Sequence, residues 1–240
     1  MEPKYQAILE EYNAFKSRLK ENWKWQDRID YLIDVPDLPN YEKEIYLKRN
    51  LGEKLKSDYL DTAYWIIQKW GEIQSFKKNQ KNDERLNRFK EKLDSDNLLL
   101  TKDEFSIVSS LSKIASFYKP EDYIIYDSRT VYTLNWIFFF HNIDSERYFP
   151  QPNGRNAKMS EYDQRTIFNL SKRNIKYYNY DEAYGAYCKL INELSKASRD
   201  LNNYDIEMFL FSVADNEVIE RVASALSVKT IAFSGKSFII

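Results

Sequence analysis

Glycine and proline, which break helices most readily, are scarce in this chain: five glycines and six prolines occur among 240 residues. Between them, apolar residues recur at helical spacing, as at Tyr5, Ile8, Leu9, Tyr12 and Phe15 near the N-terminus. This pattern predicts a mostly α-helical, compact multi-helix domain with little or no sheet.

The same reasoning places individual helices along the chain. Ser57 is expected to cap one helix, and another opens with the capping-box pattern of residues 101–104 and must stop near Lys119-Pro120. The tail is expected to be a strand or a frayed end. We expect one helical domain over residues 1–240, or two lobes with the active-site cleft between them. Besides the helix that begins at residue 101, the predicted helices cover about 2–20, 41–48, 57–75, 82–93, 129–140, 160–171, 181–198 and 205–226.

Charge and cysteine content narrow the class of protein. The formal net charge is −1, which argues against a protein that coats polyanions generally, although segments 68–92 and 151–180 are locally basic. The single cysteine, Cys188, cannot form an internal disulfide. The N-terminus lacks the apolar core of a signal peptide, and the longest apolar stretch, 136–140, is too short to span a bilayer. We expect a cytoplasmic monomer that has no membrane segment.

The chain lacks the usual motifs of metal and nucleotide sites. Its only histidine is His141, and its five glycines are too scattered to form a phosphate-binding loop. We therefore expect no metal and no cofactor. Any chemistry must come from carboxylates, lysines, tyrosines or hydroxyls.

One segment suggests such chemistry, and it is centred on Asp127. A predicted helix ends at Lys119-Pro120, a short extended apolar run follows, and Asp127 or Ser128 then caps a new helix that carries Arg129. An acid in this position has an ordinary explanation, because it caps free backbone N–H groups and complements the helix dipole.

The phrase from Ser112 to Arg129, Ser-Lys-Ile-Ala-Ser-Phe-Tyr-Lys-Pro-Glu-Asp-Tyr-Ile-Ile-Tyr-Asp-Ser-Arg, resembles the catalytic-aspartate region of helix-hairpin-helix DNA glycosylases. It is similar also to divergent bacterial members that act in phage defence and remove glucosylated hydroxymethylcytosine. The resemblance implies a helical fold, double-stranded DNA as partner, including modified phage DNA, and Asp127 as the catalytic carboxylate. In this chemistry a carboxylate stabilises the oxocarbenium-like sugar and activates water, while the nucleotide is flipped out of the stack.

Two departures from the family bear on mechanism. The family's glycine hairpin, which grips a DNA phosphate, has no counterpart, because no glycine occurs between Gly71 and Gly154. In members with lyase activity a lysine lies further ahead of the aspartate than Lys113, which precedes Asp127 by 14 positions. Lys113 remains a candidate catalytic residue, but its spacing favours a monofunctional hydrolase.

Further residues are candidates for contacts with substrate or DNA, and each has a structural alternative. Arg129 could reach a phosphate or form a salt bridge, and Asn135 could read a base or tie down backbone. The loop pair Arg155-Asn156 could contact DNA or be an ordinary turn. Trp23, Trp25 and Gln26 could wall a base pocket or anchor the core, and Tyr162 could face the same site.

Two other functions fit the same residues. The first is a non-catalytic helical module that binds nucleic acid or protein through its basic stretches and tyrosine clusters, with Asp127 as a cap alone. The second is a nuclease, which would need acids distant in sequence to converge on a metal.

Overall fold

The computed structural model describes residues 1–23, 31–95, 97–143, 146–154, 156–198 and 201–226. The prediction of a mostly helical, multi-helix fold is confirmed. Within these residues the only extended pairing is an isolated bridge between Tyr148 and Tyr177. The predicted tail, 227–240, lies outside the described residues.

The helices follow one another with short connections. In chain order they are α1 (Pro3–Asn22), α2 (Asn40–Ser57), α3 (Tyr59–Trp65), α4 (Gln80–Asp94), α5 (Lys102–Phe105), α6 (Val108–Tyr118), α7 (Ser128–Phe140), α8 (Ala157–Glu161), α9 (Gln164–Leu170), α10 (Tyr180–Ala197), α11 (Asn203–Val213) and α12 (Ile219–Ala225). Two π-helical turns, Ile66–Trp70 and Ala214–Val218, continue α3 and α11.

Several predicted boundaries are wrong, and each has a local cause. Ser57 is not an N-cap: it is the last residue of α2, which is longer than predicted, and α3 begins after Asp58. The helix predicted over 160–171 is two short helices, because the Asp163 side chain accepts from the Thr166 N–H and so starts α9 separately. The capping box at Thr101 forms as predicted, although its helix breaks after Phe105 and resumes as α6.

Helix α7 lies at the centre of the fold. Residues 130–138 of this helix are all buried, as expected for a helix that is covered on every side. It packs against α1, α11 and the second π-helical turn, while α6 packs against α2. Helix α7 is therefore held by elements from both ends of the chain.

The connection between α6 and α7 is extended and tightly held. Lys119 is kept out of the helical conformation by Pro120, so α6 stops there. Further along, the Ser112 hydroxyl of α6 accepts from the Tyr126 N–H at 3.0 Å. This bond fixes the approach of the chain to Asp127.

No helix in the described ranges is both long enough and apolar enough to cross a membrane.

Candidate active site

Asp127 caps α7, as the ordinary interpretation predicted. Its Oδ1 accepts hydrogen bonds from the backbone N–H groups of Arg129 and Thr130, both at 3.0 Å. In return, the Thr130 hydroxyl accepts from the Asp127 N–H at 3.1 Å. This reciprocal capping box fixes the orientation of the carboxylate.

The second carboxylate oxygen of Asp127 faces Lys113. The Lys113 Nζ lies 3.7 Å from Asp127 Oδ2, and the two residues are only 6% and 8% exposed. Burial lowers the pKa of the Lys113 ammonium, while the negative charges of Asp127 and Glu207 oppose that shift. The pair therefore combines a carboxylate with an amine that is costly to keep charged.

This pair lines an aromatic-walled cavity of about 310 Å³. The size suits a small organic ligand, and the walls combine aromatic rings with charged, amide and hydroxyl groups. The aromatic side chains on the cavity are Trp23, Trp70 and Phe211. We call this space the aromatic cavity.

A second cavity, of about 500 Å³, also borders Lys113 and Asp127. Its lining is richer in hydroxyl, amide and guanidinium groups, supplied by Ser75, Ser106, Ser109, Ser110, Asn82 and Arg85. We call it the polar cavity. The Lys113–Asp127 pair thus lies where the two cavities meet.

Two glycines allow the chain to approach this pair closely. A Cβ on Gly71 would lie 2.8 Å from Lys113 Cδ and 2.9 Å from the carbonyl oxygens of Ile66 and Ile67. A Cβ on Gly154 would lie 2.5 Å from the Ser128 hydroxyl oxygen. At both positions a side chain would collide with a residue beside the site.

A buried ion pair lies behind the aromatic cavity. The Lys48 ammonium lies 2.8 Å from Glu207 Oε1, and Glu207 Oε2 accepts from the Ile125 N–H at 2.8 Å. Glu207 itself lines the cavity. Helices α2 and α11 are thereby tied to the extended segment that leads to Asp127.

The carboxyl group of Glu44 also lines the aromatic cavity, and sequence reasoning missed it. Glu44 is 3% exposed; the Trp70 indole N–H donates to its Oε2 at 3.2 Å, while its Oε1 has no hydrogen-bond partner among the described residues. Burial raises the pKa of Glu44 to about 7. Helical periodicity gave no signal for it, because Glu44 lies in a charged stretch that looks like a solvated helix face.

The structure brings some of the other predicted site residues together. Arg129 forms an ion pair with Asp215 at 2.6 Å and lies over the Phe211 ring, 4.6 Å from its centroid. The Asn156 amide donates to the same Asp215 carboxylate. Both residues line the aromatic cavity, so Arg129 takes its salt-bridge alternative at the edge of the site.

Other predicted residues are not brought to the Asp127 cavities. The Asn135 amide ties down backbone: it donates to the Phe149 carbonyl at 2.8 Å and accepts from the Phe149 N–H at 2.9 Å. Tyr162 packs against the core and its carbonyl accepts from the Tyr132 hydroxyl. Neither lines the aromatic or the polar cavity. Trp25, Gln26 and Arg155 lie outside the described residues, whereas Trp23 is buried and lines the aromatic cavity.

His141 is remote from the site. It ends α7 at the opposite terminus from Asp127, a distance of roughly 20 Å along the helix. Its Nε2 lies 2.9 Å from Glu11 Oε1. Over the described ranges, no three His, Cys, Asp or Glu side chains are grouped as a metal site requires.

Comparison of the chain with family models, with curated proteins and with solved structures finds no match.

Proposed function

We propose that the protein is a monofunctional DNA glycosylase that removes a flipped, modified base and leaves an abasic site. The observation that carries the proposal is the position of Asp127: its carboxylate borders two adjoining cavities and lies 3.7 Å from Lys113. Breaking an N-glycosidic bond develops positive charge at C1′ of the sugar, and a fixed carboxylate stabilises that charge and activates water.

Capping and catalysis are compatible in one side chain. The two cap hydrogen bonds go to Oδ1, so the helix holds the carboxylate in place by one oxygen. Oδ2 faces Lys113, whose positive charge at this distance balances the aspartate within a buried site. The cap then supplies the rigidity that a catalytic group needs.

The aromatic cavity suits a base that has left the stack. The aromatic side chains of Trp23, Trp70 and Phe211 on its walls can supply contacts in place of the stacking that an extruded base loses. The neighbouring polar cavity suits a hydrophilic substituent on that base, because its serine hydroxyl groups can bond to sugar hydroxyls. Together the two compartments favour a base that carries a polar adduct, such as glucosylated hydroxymethylcytosine in phage DNA.

The decisive variant is Asp127→Asn, since asparagine keeps the cap acceptor but removes the charge. Duplex DNA with unmodified, oxidised, alkylated or glucosylated bases would be incubated with protein, treated with alkali and examined for strand breaks. We expect the unaltered protein to form abasic sites, which alkali converts to strand breaks, in one of these DNAs. Asp127→Asn should lower the rate of abasic-site formation at least ~100-fold.

The matched control is Asp163→Asn, since Asp163 also caps a helix through its carboxylate but lines neither the aromatic nor the polar cavity. Full activity of Asp127→Asn would remove Asp127 from the mechanism. Equal losses in the two variants would show that only helix capping had been lost. Failure to cleave any of the four DNAs would instead favour the non-catalytic binding module.

The role of Lys113 has its own readout. A monofunctional hydrolase forms no covalent bond to the sugar, so borohydride should trap no protein–DNA adduct during turnover. A trapped adduct that disappears in Lys113→Gln would instead assign Lys113 as a nucleophile.

A further inference from the structure

The carboxyl group of Glu44 is the feature of the cavity that the proposed function leaves unused. It lines the same cavity as Asp127 and Lys113, on the side formed by α2 and the first π-helical turn. One of its oxygens is held by the Trp70 indole N–H. The other is buried and has no partner among the residues that the structure describes.

A buried oxygen without a partner needs an explanation, because desolvation without a hydrogen bond is unfavourable. An acid that carries a proton provides one, because a neutral carboxyl group costs less to bury than a carboxylate, and Glu44 borders the cavity in which a base would lie. Sites that cleave glycosidic bonds commonly use two carboxyl groups in contrasting environments, one ionised and one able to donate a proton. Asp127 accepts two backbone N–H groups and faces Lys113, so its surroundings differ from those of Glu44.

The surroundings of Glu44 support the second role. Burial raises the pKa of Glu44 to about 7, and the charge of Glu207 acts in the same direction. The charge of Lys48 and the hydrogen bond from Trp70 oppose that shift. The Lys48 ammonium lies 2.8 Å from Glu207 Oε1, so Glu44 shares the positive charge of Lys48 with Glu207.

We propose, on the basis of the glycosylase function above, that Glu44 is a second catalytic carboxyl group, which donates a proton to the base as it leaves. The C1′–N bond breaks, its electron pair goes to the base, and the base takes the proton from Glu44. Water adds to C1′ and gives up one proton to Asp127. The products are the protonated free base and the abasic sugar, and solvent returns the proton from Asp127 to Glu44.

The test uses single-turnover base release from phage DNA that carries glucosylated hydroxymethylcytosine, or from whichever of the four DNAs above is cleaved fastest. Rates would be measured from pH 5 to pH 9 for the unaltered protein, Glu44→Gln and Glu53→Gln. Glu53 is the matched control, because it lies on the same helix with its side chain 87% exposed.

The expected result is a rate for the unaltered protein that falls about tenfold per pH unit above pH 7, as the donor loses its proton. Glu44→Gln should lower the rate at pH 6 by ~100-fold or more and remove this falling limb, whereas Glu53→Gln should change neither. Glu44→Asp should keep the falling limb at a reduced rate. A purely structural Glu44 would leave the shape of the profile unchanged in every variant.

The outcomes separate the two proposals. If Asp127→Asn is inactive but Glu44→Gln keeps both the rate and the falling limb, Glu44 is not the donor and the glycosylase proposal stands. If the unaltered protein releases no base from any of the DNAs, both proposals are overturned. If Glu44→Gln does not fold, as judged by its circular dichroism spectrum, the profile of Glu44→Asp decides.

Discussion

At the scale of single residues, the site is built from charged groups that burial makes costly. Asp127 divides its two oxygens between the helix N-terminus and Lys113, so each oxygen faces a positive partner. Glu44, by contrast, meets only one donor, the Trp70 indole, at one of its oxygens among the described residues. Asp127 and Glu44 thus differ in environment although they line the same cavity.

The raised pKa of Glu44 predicts how stability depends on pH. The folded chain holds this proton up to about pH 7, whereas an unfolded glutamate loses it near 4.5. Stability should therefore fall as pH rises from about 4.5 to 7, by roughly 3 kcal/mol from this group. The Glu44→Gln variant should not show this loss of stability. The free energy of unfolding in urea, measured at pH 5 and pH 7.5 for both proteins, gives the difference.

Glu53→Gln again serves as the control, because its exposed carboxylate has no such burial cost. The same pH-dependent loss in Glu44→Gln as in the unaltered protein would show that Glu44 does not hold a proton in the folded state.

At the scale of elements, the break between α3 and α4 shapes one wall of the site. The π-helical turn ends at Trp70, and the Gly71 N–H donates to the Ile66 carbonyl at 2.7 Å. Gly71 then lets the backbone pass beside the Lys113 side chain. Such π-helical turns are common at functional sites, because they reposition side chains within an otherwise regular helix.

This geometry predicts opposite effects for two glycine substitutions. Gly71→Ala should lower the free energy of unfolding by ~1–3 kcal/mol, because its Cβ meets two backbone carbonyls that cannot move independently. Gly185→Ala should be neutral or stabilise by up to ~1 kcal/mol, because it lies inside α10 and its Cβ would meet only Leu98 at 3.7 Å. Thermal unfolding of both variants measures the difference. A Gly71→Ala protein as stable as the parent would contradict the close approach to Lys113.

At the scale of the whole molecule, the buried Lys48–Glu207 pair joins distant parts of the chain behind the site. Lys48 lies on α2 and Glu207 on α11, and Ile125, whose N–H donates to Glu207, precedes α7. The Lys48 ammonium also lies over the rings of Trp70 and Phe117, at 5.8 and 5.2 Å from their centroids. Three separate segments thus meet at one ion pair.

A double-mutant cycle tests this connection. Lys48→Met or Glu207→Leu alone should cost about 3–5 kcal/mol of stability, because each leaves a buried charge without its partner. The double variant should cost clearly less than the sum of the two, since both charges are then removed. Urea denaturation of the four proteins gives the coupling energy. Additive losses would show that the two residues do not act as a pair.

Much of the secondary structure, and the local role of Asp127, could be predicted from sequence. The capping box at Thr101 forms as predicted and Asp127 caps α7 as its ordinary interpretation predicted, since such caps involve residues two or three positions apart. Helix boundaries were predicted wrongly where one helix follows another closely, as at Ser57. The apolar spacing continues from one helix into the next, so tertiary packing determines where the first helix ends.

The amino-acid sequence by itself determined that the chain is helical, that α6 ends before Pro120, and that Asp127 begins α7. These outcomes depend on backbone conformation and hydrogen bonds between near neighbours. Only the tertiary structure decided that Lys113 lies against Asp127 and that Glu44 lines the same cavity. The reason is physical, because burial and the distance between charges depend on how helices remote in sequence pack together. The residues adjacent to Lys113 or Glu44 in the sequence do not determine that packing.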